Sequence, residues 1–598
     1  MPKKALVVLS LVLVFASVGA LAQDYRVLPL GVAGTPYADL VIGTRGGTLR
    51  TSMISNPRHF NSIMVRDTAS AWVPDRMFHG LIERDTMTME YVPVLAKSWE
   101  VAADGLSITF HLRQGLVWSD GEPFTAADVM FTWEDLWLNP DVDARRVVWE
   151  LPDGTLPSFE KIDDYTVRVR VTTWFRPLLS AVGGTAILPR HKLWQEVRKL
   201  NPALEACRFN TAWGVDVRPE QMAGMGPFVF AEFIPDLMIR MVRNPNYWQF
   251  DPAGNRLPYF DEVRVLIVES IDVGVLMFRN AETDAISPRP EDLAIFLAEG
   301  PVRGYRTVIG DIPFFGQEFL TFHQDVPDAN LRGLFRDLRF RRAVAHATDV
   351  DTIIDTIFMG LGVRQWSPVA IPSPFFAPEM KYVYEYDLEK SAALLDAIGI
   401  MDRDRDGIRE FADGTPVEFE IFTNAGNTLR EQIGLIISDD LRALGLSVIF
   451  TPIPFADLVG RITTAGDWDG VIIGFTGGID PHGAGVIWKR TGDLHFWRFS
   501  AGGPDGRLPE KFPVADPVEW NARVDELWDL QAAALSDEAA YPFFAEFQRL
   551  VAENLPLIYT AQRFFTFAHY NHLGNAEWSN VNATAVGPGG SIFSFRRR

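Results

Sequence analysis

Residues 417–475 read VEFEIFTNAGNTLREQIGLIISDDLRALGLSVIFTPIPFADLVGRITTAGDWDGVIIGF, and this stretch decides the fold class. It contains three strand-like runs, 417–422, 446–453 and 469–475, separated by two helical segments, 429–444 and 455–464. This order of strands and helices requires right-handed crossovers and parallel pairing. The last run is apolar on both faces, which is typical of a buried parallel strand. The sequence therefore predicts an α/β protein.

Two loops of this unit, 423–428 and 476–485, follow the carboxyl ends of predicted strands. Ligands of open parallel sheets bind in the crevice beyond those ends. The candidate ligand-binding residues on these loops are Thr423, Asn424, Thr476, Asp480 and His482. Two alternatives stay open, since Asp480 and Pro481 also form a common turn pair and Asn427 has the position of a helix cap.

Three aromatic residues accompany the second loop, namely Phe475, Trp488 and Trp497. Aromatic planes stack on sugar rings as well as on peptide side chains, so these residues are candidates for the wall of a ligand pocket. The alternative is that they fill the core of the same domain.

A second informative stretch, residues 106–139, reads LSITFHLRQGLVWSDGEPFTAADVMFTWEDLWLN. Apolar residues at 106, 108, 110 and 112 alternate with polar ones, which predicts a strand with one buried face. Thr125 followed by Asp128 indicates the start of a helix, and apolar residues at 129, 133 and 136 fall on one face of it.

The string 106–139 closely resembles a signature of the bacterial extracytoplasmic solute-binding proteins of family 5, which serve peptide, nickel and oligosaccharide ABC importers. Four further places match the same family in the order in which the family has them: Gly226-Pro227-Phe228, the string 243–248, the string 338–344 with its following helix, and the unit 417–475. These motifs run through most of the chain after residue 22, so the resemblance is specific.

The resemblance implies an α/β fold of the periplasmic-binding-protein type II-like class, with two lobes joined by hinge strands and a third domain inserted in the first lobe. Mapped onto this chain, the first lobe would comprise residues 23–62, 185–285 and 545–598. The inserted domain would comprise 63–184 and the second lobe 286–544.

The implied function is binding without a reaction. A ligand that touches both lobes stabilises the closed form, because only there are both sets of contacts made. The closed form, a monomer, would then dock on the membrane permease of an ABC importer. The expected ligand is an oligopeptide or a solute of similar size, and an oligosaccharide is the alternative within the family.

The chain departs from the peptide-binding relatives at one position. Those relatives place an Asp soon after the third strand, where it pairs with the α-amino group of the ligand. Here Gly478 aligns with that position, so either Asp480 substitutes or the ligand carries no amine. From the first lobe, Asn56, Phe60 and Asn61 would face the cleft, although an ordinary loop is the alternative.

The acidic segment 402–413 reads DRDRDGIREFAD and follows the template of a calcium loop. The ligand set of that template would be Asp402, Asp404, Asp406, Ile408 through its carbonyl, Glu410 and Asp413. A helix and a strand flank the segment, so a bound Ca²⁺ would be structural, and no cofactor is expected for function. The alternative is a solvated acidic turn neutralised by the intervening arginines.

The amino-terminal residues 1–22 predict a secretory signal peptide, since Lys3 and Lys4 precede an apolar run that ends in a small-residue cleavage site after Ala22. We therefore expect a periplasmic protein, with a retained membrane anchor as the alternative. The net charge of −21 opposes binding to nucleic acid. Cys207 is the single cysteine, which excludes an internal disulfide.

Motifs of catalysis and nucleotide binding are missing from the sequence. It has no Gly-x-Ser-x-Gly elbow, no His-Glu-x-x-His zinc helix, no P-loop and no dinucleotide fingerprint. We therefore expect no enzymatic activity. An exported peptide or glycan hydrolase stays the alternative, because the spacing of paired carboxylates exists only in the folded protein.

Overall fold

The structure is a computed structural model that describes residues 24–35, 37–85, 88–498 and 518–575, together with the strands at 577–579, 584–586 and 595–596. The predicted signal peptide at 1–22 lies outside the described residues. Within the described ranges, no helix is both long enough and apolar enough to cross a membrane.

The first-lobe sheet has four strands, in the order Thr48–Met53, Glu262–Ile267, Met238–Arg243 and Phe228–Ile234. The first two are parallel and the others antiparallel. More than 170 residues separate the strands Thr48–Met53 and Phe228–Ile234 of this sheet, and they include the segment 63–184 that is predicted to form the inserted domain.

The intervening segment forms a four-stranded antiparallel sheet in the order Ala96–Val101, Ser107–Leu112, Thr166–Arg170 and Ser158–Asp163. Ile108, Phe110 and Leu112 are buried on one face, which confirms the predicted alternation. Thr125 and Asp128 make the predicted capping box at the helix Ala126–Met130, which continues as a π-helix over Phe131–Trp137.

The second-lobe sheet has five strands, in the order Ser447–Ile453, Glu418–Asn424, Gly470–Thr476, Gly316–Phe322 and Ile558–Tyr559. Glu418–Asn424 is parallel to both of its neighbours, as predicted, and Gly316–Phe322 runs antiparallel. Leu320 and Ile421 pack into one apolar core and Phe319 and Phe422 into another, so the sheet is covered on both faces.

Helices surround these sheets. The longer ones are Ile271–Arg279, Leu293–Arg303, Ala329–Arg336, Leu338–His346, Leu388–Ala397, Thr428–Ala443, Glu519–Ala532 and Asp537–Asn554. Short helices include Thr68–Ala71, Pro74–Met77, Leu178–Gly183, Arg190–Leu193, Phe455–Gly460 and Gly485–Trp488. The predicted lobe boundary at 544/545 falls inside Asp537–Asn554, whose apolar side packs into the second-lobe core.

A connecting sheet links the two lobes. Its longest strand, Ala561–Tyr570, pairs with Ala285–Ile286, Tyr305–Pro313 and Gly362–Arg364. The strand Tyr305–Pro313 is followed two residues later by Gly316–Phe322 of the second-lobe sheet. These strands are the physical counterpart of the predicted hinge.

The first lobe and the inserted domain share one apolar core. The same cluster contains Leu49 and Val265 from the first-lobe sheet and Phe110 and Val167 from the inserted sheet. Because interiors are close-packed and resist deformation, these two parts form one body, and the second lobe forms the other. A cleft between the lobes is therefore bounded by the second lobe on one side and by this composite body on the other.

Candidate functional site

The loop that follows the strand Gly470–Thr476 separates two cavities, which we call the cleft cavity and the outer cavity. The cleft cavity has a volume of about 310 Å³ and the outer cavity about 370 Å³. Thr476, Gly477 and Gly478 line both. Both cavities therefore lie beyond the carboxyl end of a central strand, where the topology predicts a ligand.

The cleft cavity is largely apolar. Its lining consists of Arg145, Gln317, Pro368, Val369, Ala370, Phe475, Thr476, Gly477, Gly478, Asp480, Pro481, Gly483, Ala484, Val486, Ile487, Trp488 and Leu494. All of these belong to the second lobe except Arg145, which comes from the inserted domain. A pocket with aromatic walls, a few polar groups and this volume has the character of a small-molecule site.

The outer cavity is bounded by both bodies. Its lining consists of Arg84, Asp85, Met89, Phe314, Phe315, Gly316, Thr476, Gly477, Gly478 and Ile479. Arg84 does not stand free, because it donates a hydrogen bond to the Tyr91 hydroxyl at 2.7 Å and lies over the Tyr91 ring.

Asp480 is held by an arginine from the opposite side of the cleft. The Arg176 guanidinium donates to both carboxylate oxygens of Asp480, at 2.8 and 3.1 Å. One Asp480 oxygen also accepts the backbone N–H of His482, at 2.9 Å, at the start of a short 3-10 helix. Asp480 is thus both a turn residue, as the alternative interpretation has it, and a partner of the inserted domain.

The electrostatics of this pair follow from burial and charge. Burial alone would raise the pKa of Asp480, but the hydrogen bond and the charge of Arg176 outweigh it and hold the pKa below its ordinary value. Burial acts in the opposite direction on the pKa of Arg176, which its acidic partners nevertheless raise. Both groups are therefore charged at neutral pH.

His482 lies behind the cavity wall. Its Nδ1 is 2.7 Å from the Gln531 amide nitrogen, and its Nε2 is 3.2 Å from the Val148 carbonyl oxygen. Burial lowers the pKa of His482 to about 4, so the imidazole is neutral at physiological pH. Gln531 thus donates to Nδ1, and Nε2–H donates across the cleft to Val148.

The other predicted site residues near the second loop line the cleft cavity or lie directly behind its wall. Phe475, Thr476, Gly478 and Trp488 line the cleft cavity together with Asp480. Trp497 is buried behind Trp488, at a ring distance of 5.3 Å.

Thr423 and Asn424 occupy the last two positions of a strand, paired with Pro452 and Ile453, and not the loop on which the sequence places them. The Thr423 hydroxyl donates to the Ile472 carbonyl at 2.9 Å. The Asn424 side chain accepts a hydrogen bond from Arg430, also at 2.9 Å. Both side chains are thus engaged within the second lobe.

The three first-lobe candidates make contacts within their own body. Phe60 is completely buried and packs on Phe230 at a ring distance of 4.8 Å. Asn61 donates to the Phe209 carbonyl at 3.0 Å, and Asn56 bonds to Asp236. None of the three lines the cleft or outer cavity among the described lining residues.

The acidic loop brings four of its six predicted calcium ligands together. Carboxylate oxygens of Asp402, Asp404, Asp406 and Glu410 all lie within 4.8 Å of one another. Asp413 is engaged elsewhere, since it accepts hydrogen bonds from Asn330 and the Thr415 backbone. Oxygen ligands at this spacing suit Ca²⁺, and calcium binding through these residues and the Ile408 carbonyl stays a prediction.

Sequence reasoning missed residues from distant parts of the chain that line the cleft cavity or bond to Asp480. Arg145, Arg176, Gln317 and the segment 368–370 are far from the predicted loops in the chain, and no local pattern marks them. Only paired substitutions across related sequences would have revealed such contacts.

Comparison with known proteins gives the relationships of the chain. The family model "Bacterial extracellular solute-binding proteins, family 5 Middle" matches residues 90–493. The chain belongs to this family. The family that the sequence motifs indicate, and the predicted function as a solute-binding protein, are thereby confirmed. Members of this family are extracytoplasmic.

Two relatives illustrate the range of the family. A probable ABC transporter-binding protein of Deinococcus radiodurans is 24% identical over 544 residues, which is 88% of each chain. The periplasmic alpha-galactoside-binding protein of Rhizobium meliloti is 27% identical over 62% of this chain and 55% of its own.

Two solved structures share the fold. The oligopeptide-binding protein AppA from Bacillus subtilis, in complex with a nonapeptide, has a TM-score of 0.75 at 20% identity, covering 93% of this chain and 100% of AppA. The binding protein MelB from Agrobacterium fabrum, in complex with stachyose, also has a TM-score of 0.75, at 22% identity, covering 93% and 85%. These likenesses confirm the predicted α/β binding-protein fold.

Proposed function

We propose that this protein is the substrate-binding component of an ABC importer, which captures an oligopeptide or a solute of similar size in the cleft cavity and delivers it unchanged to a membrane permease. An oligosaccharide is the alternative ligand, since relatives of both kinds exist. The single observation that carries the proposal is the pair of cavities between the two bodies, at the carboxyl end of a central strand.

Contacts between the bodies support closure around a ligand. Lys489 of the second lobe bonds to Glu150 of the inserted domain at 2.9 Å, and Arg145 of the inserted domain bonds to Asp493 of the second lobe at 3.0 Å. Such contacts exist only when the bodies approach, so they favour the closed form together with the ligand. The protein acts as a periplasmic monomer, cleaved after Ala22, in this proposal.

The experiment that tests the function measures stabilisation and turnover in the same sample. The purified protein is heated with a panel of short alanine peptides and neutral oligosaccharides such as stachyose, and each solute is then analysed by mass spectrometry. A solute at a hundred times its Kd should stabilise the native state by about 2.7 kcal/mol and be recovered intact. Recovery of fragments would replace the proposal by the hydrolase alternative, and no stabilisation by either class would refute the proposed ligand classes.

A further inference from the structure

We propose that Arg176 determines ligand specificity by neutralising the Asp480 carboxylate from within the protein. The cleft cavity then selects solutes that carry no ammonium group next to Asp480, and neutral oligosaccharides are the class that fits. This inference rests on the proposed function, because it names the ligand class of the same cavity. In this inference Arg176 of the inserted domain, and not a ligand cation, pairs with Asp480.

Asp480 is the only carboxylate among the residues described as lining the cleft cavity. It is therefore the group in this wall to which a ligand cation would bind. Arg176 bonds to both of its oxygens, and the Arg176 side chain is only 7% exposed. A bidentate arginine–carboxylate pair is among the strongest polar contacts available to a protein.

Arg176 is itself anchored in the second lobe, so it does not swing away readily. Its guanidinium bonds to Asp537 at 2.7 Å and to the Gln531 side chain at 2.9 Å, and its backbone N–H donates to the Ala532 carbonyl at 2.7 Å. The guanidinium also lies 5.3 Å from the centre of the Phe375 ring. These contacts hold the Arg176 guanidinium in one position.

A ligand ammonium at Asp480 would meet two obstacles. The carboxylate charge is already matched by Arg176, so the ammonium would lose its hydration without gaining a free counter-charge. It would also lie beside the positive guanidinium, which repels it. Asp480 therefore contributes little attraction for the amino terminus of a free peptide.

The second charged side chain in the lining of the cleft cavity is also paired within the protein. Arg145 is the one basic residue among the described lining residues, and its Nε bonds to Asp493, which also pairs with Arg66. The polar groups that remain, such as the Gln317 amide and the Thr476 hydroxyl, are neutral. Together with Phe475 and Trp488 they form a wall suited to hydroxyl groups and sugar-ring faces.

The test compares two peptide pools that differ only in the amine, together with a neutral sugar. The probes are a pool of short alanine oligomers made as carboxyl-terminal amides, the same pool after amino-terminal acetylation, and stachyose. Binding is measured by equilibrium dialysis with mass spectrometry for the parent protein, Arg176→Met, Arg176→Lys and the double variant Arg176→Met with Asp480→Asn. Arg168→Met, which removes an arginine from the four-stranded sheet of the inserted domain, is the matched control.

For the parent and the Arg168→Met control we expect stachyose to bind, and we expect less than twofold preference for the free-amine pool over the acetylated pool. Arg176→Met should expose Asp480 and create a preference of about tenfold for the free amine. That gain should disappear in the double variant and be absent in Arg176→Lys, which keeps a cation. The lysine variant also controls for loss of folding, checked by circular dichroism.

Two results would overturn the inference: a preference of twofold or more for the free amine in the parent, or an Arg176→Met protein that folds and gains no preference. Neither of these two results would refute the proposed function. A protein that selects free amines and releases them intact would still be a solute receptor, whereas conversion of a probe would refute the receptor itself.

Discussion

Gly478→Leu should block the solute site without disturbing the fold. Gly478 is exposed and lines both cavities, so a leucine side chain at this position would reduce the volume that is available to a solute. A Cβ at Gly478 would meet nothing closer than the Asp480 carbonyl oxygen at 3.8 Å, which is an ordinary contact. The neighbouring Gly477 offers no such opportunity, since its Cβ would lie 2.5 Å from the Phe315 carbonyl oxygen.

The size of the effect follows from the volume of the site. The cavities measure about 310 and 370 Å³, near the lower end of the range for ligand pockets. Overfilling a packed site costs typically about 1–3 kcal/mol. The dissociation constant should therefore rise by roughly five- to 150-fold. The free energy of unfolding without solute should change by no more than about 0.5 kcal/mol, as for other surface substitutions.

The assay is isothermal titration calorimetry with the panel solute that stabilises the parent most. Gly333→Leu is the matched control, since Gly333 is exposed on an outer helix of the second lobe and its Cβ would meet nothing within 4 Å. Parent-like affinity in Gly478→Leu would refute the assignment of the solute site to these cavities. An equal loss of affinity in Gly333→Leu would show that the effect is not local.

Three further outcomes are expected. Burial lowers the pKa of His482 to about 4, whereas the same side chain in the unfolded protein takes up a proton below about pH 6.5. Below that pH the unfolded state therefore binds more protons than the folded state. The free energy of unfolding is thus fully present above about pH 6.5 and falls between about pH 6.5 and 4, by on the order of 3 kcal/mol for this group. Denaturant titrations should show a smaller fall in His482→Gln, and an unchanged fall would contradict the buried neutral state. Calcium should raise the melting temperature of the parent but not of Asp404→Ala, and a parent insensitive to calcium ends that idea. Phe60→Ala should cost about 3–5 kcal/mol of stability, because Phe60 is fully buried, while the folded variant keeps parent-like solute affinity in calorimetry; a selective loss of affinity would instead place Phe60 in the site.

The sequence predicts those parts of the structure that local patterns encode. The unit 417–475 shows the alternation and helical spacing of its elements directly, and the five-stranded sheet has the predicted parallel strands. The place of the cavities follows from topology alone. The ends of elements are less well encoded, and the strand Glu418–Asn424 extends two residues beyond the predicted run because its neighbour Ser447–Ile453 still offers backbone partners there.

Local sequence patterns do not reveal the contacts that the inserted domain makes with the site. Arg176 and Asp480 are 304 residues apart, and nothing near either one in the chain indicates the other. Asn61 reads as a polar loop residue facing a cleft, yet it is completely buried because its amide bonds to the Phe209 carbonyl and the Ile63 N–H. In both cases a contact distant in sequence decides what the side chain does.

The strand Ala561–Tyr570 has a consequence for how the molecule is made. Together with Ile558–Tyr559 it supplies late pairings to both the connecting sheet and the second-lobe sheet. Synthesis proceeds from the amino end, so neither sheet has all its described strands until residues 558–570 have been made, and pairings over such sequence separations form slowly. The nascent chain therefore stays incompletely folded until these strands have been added.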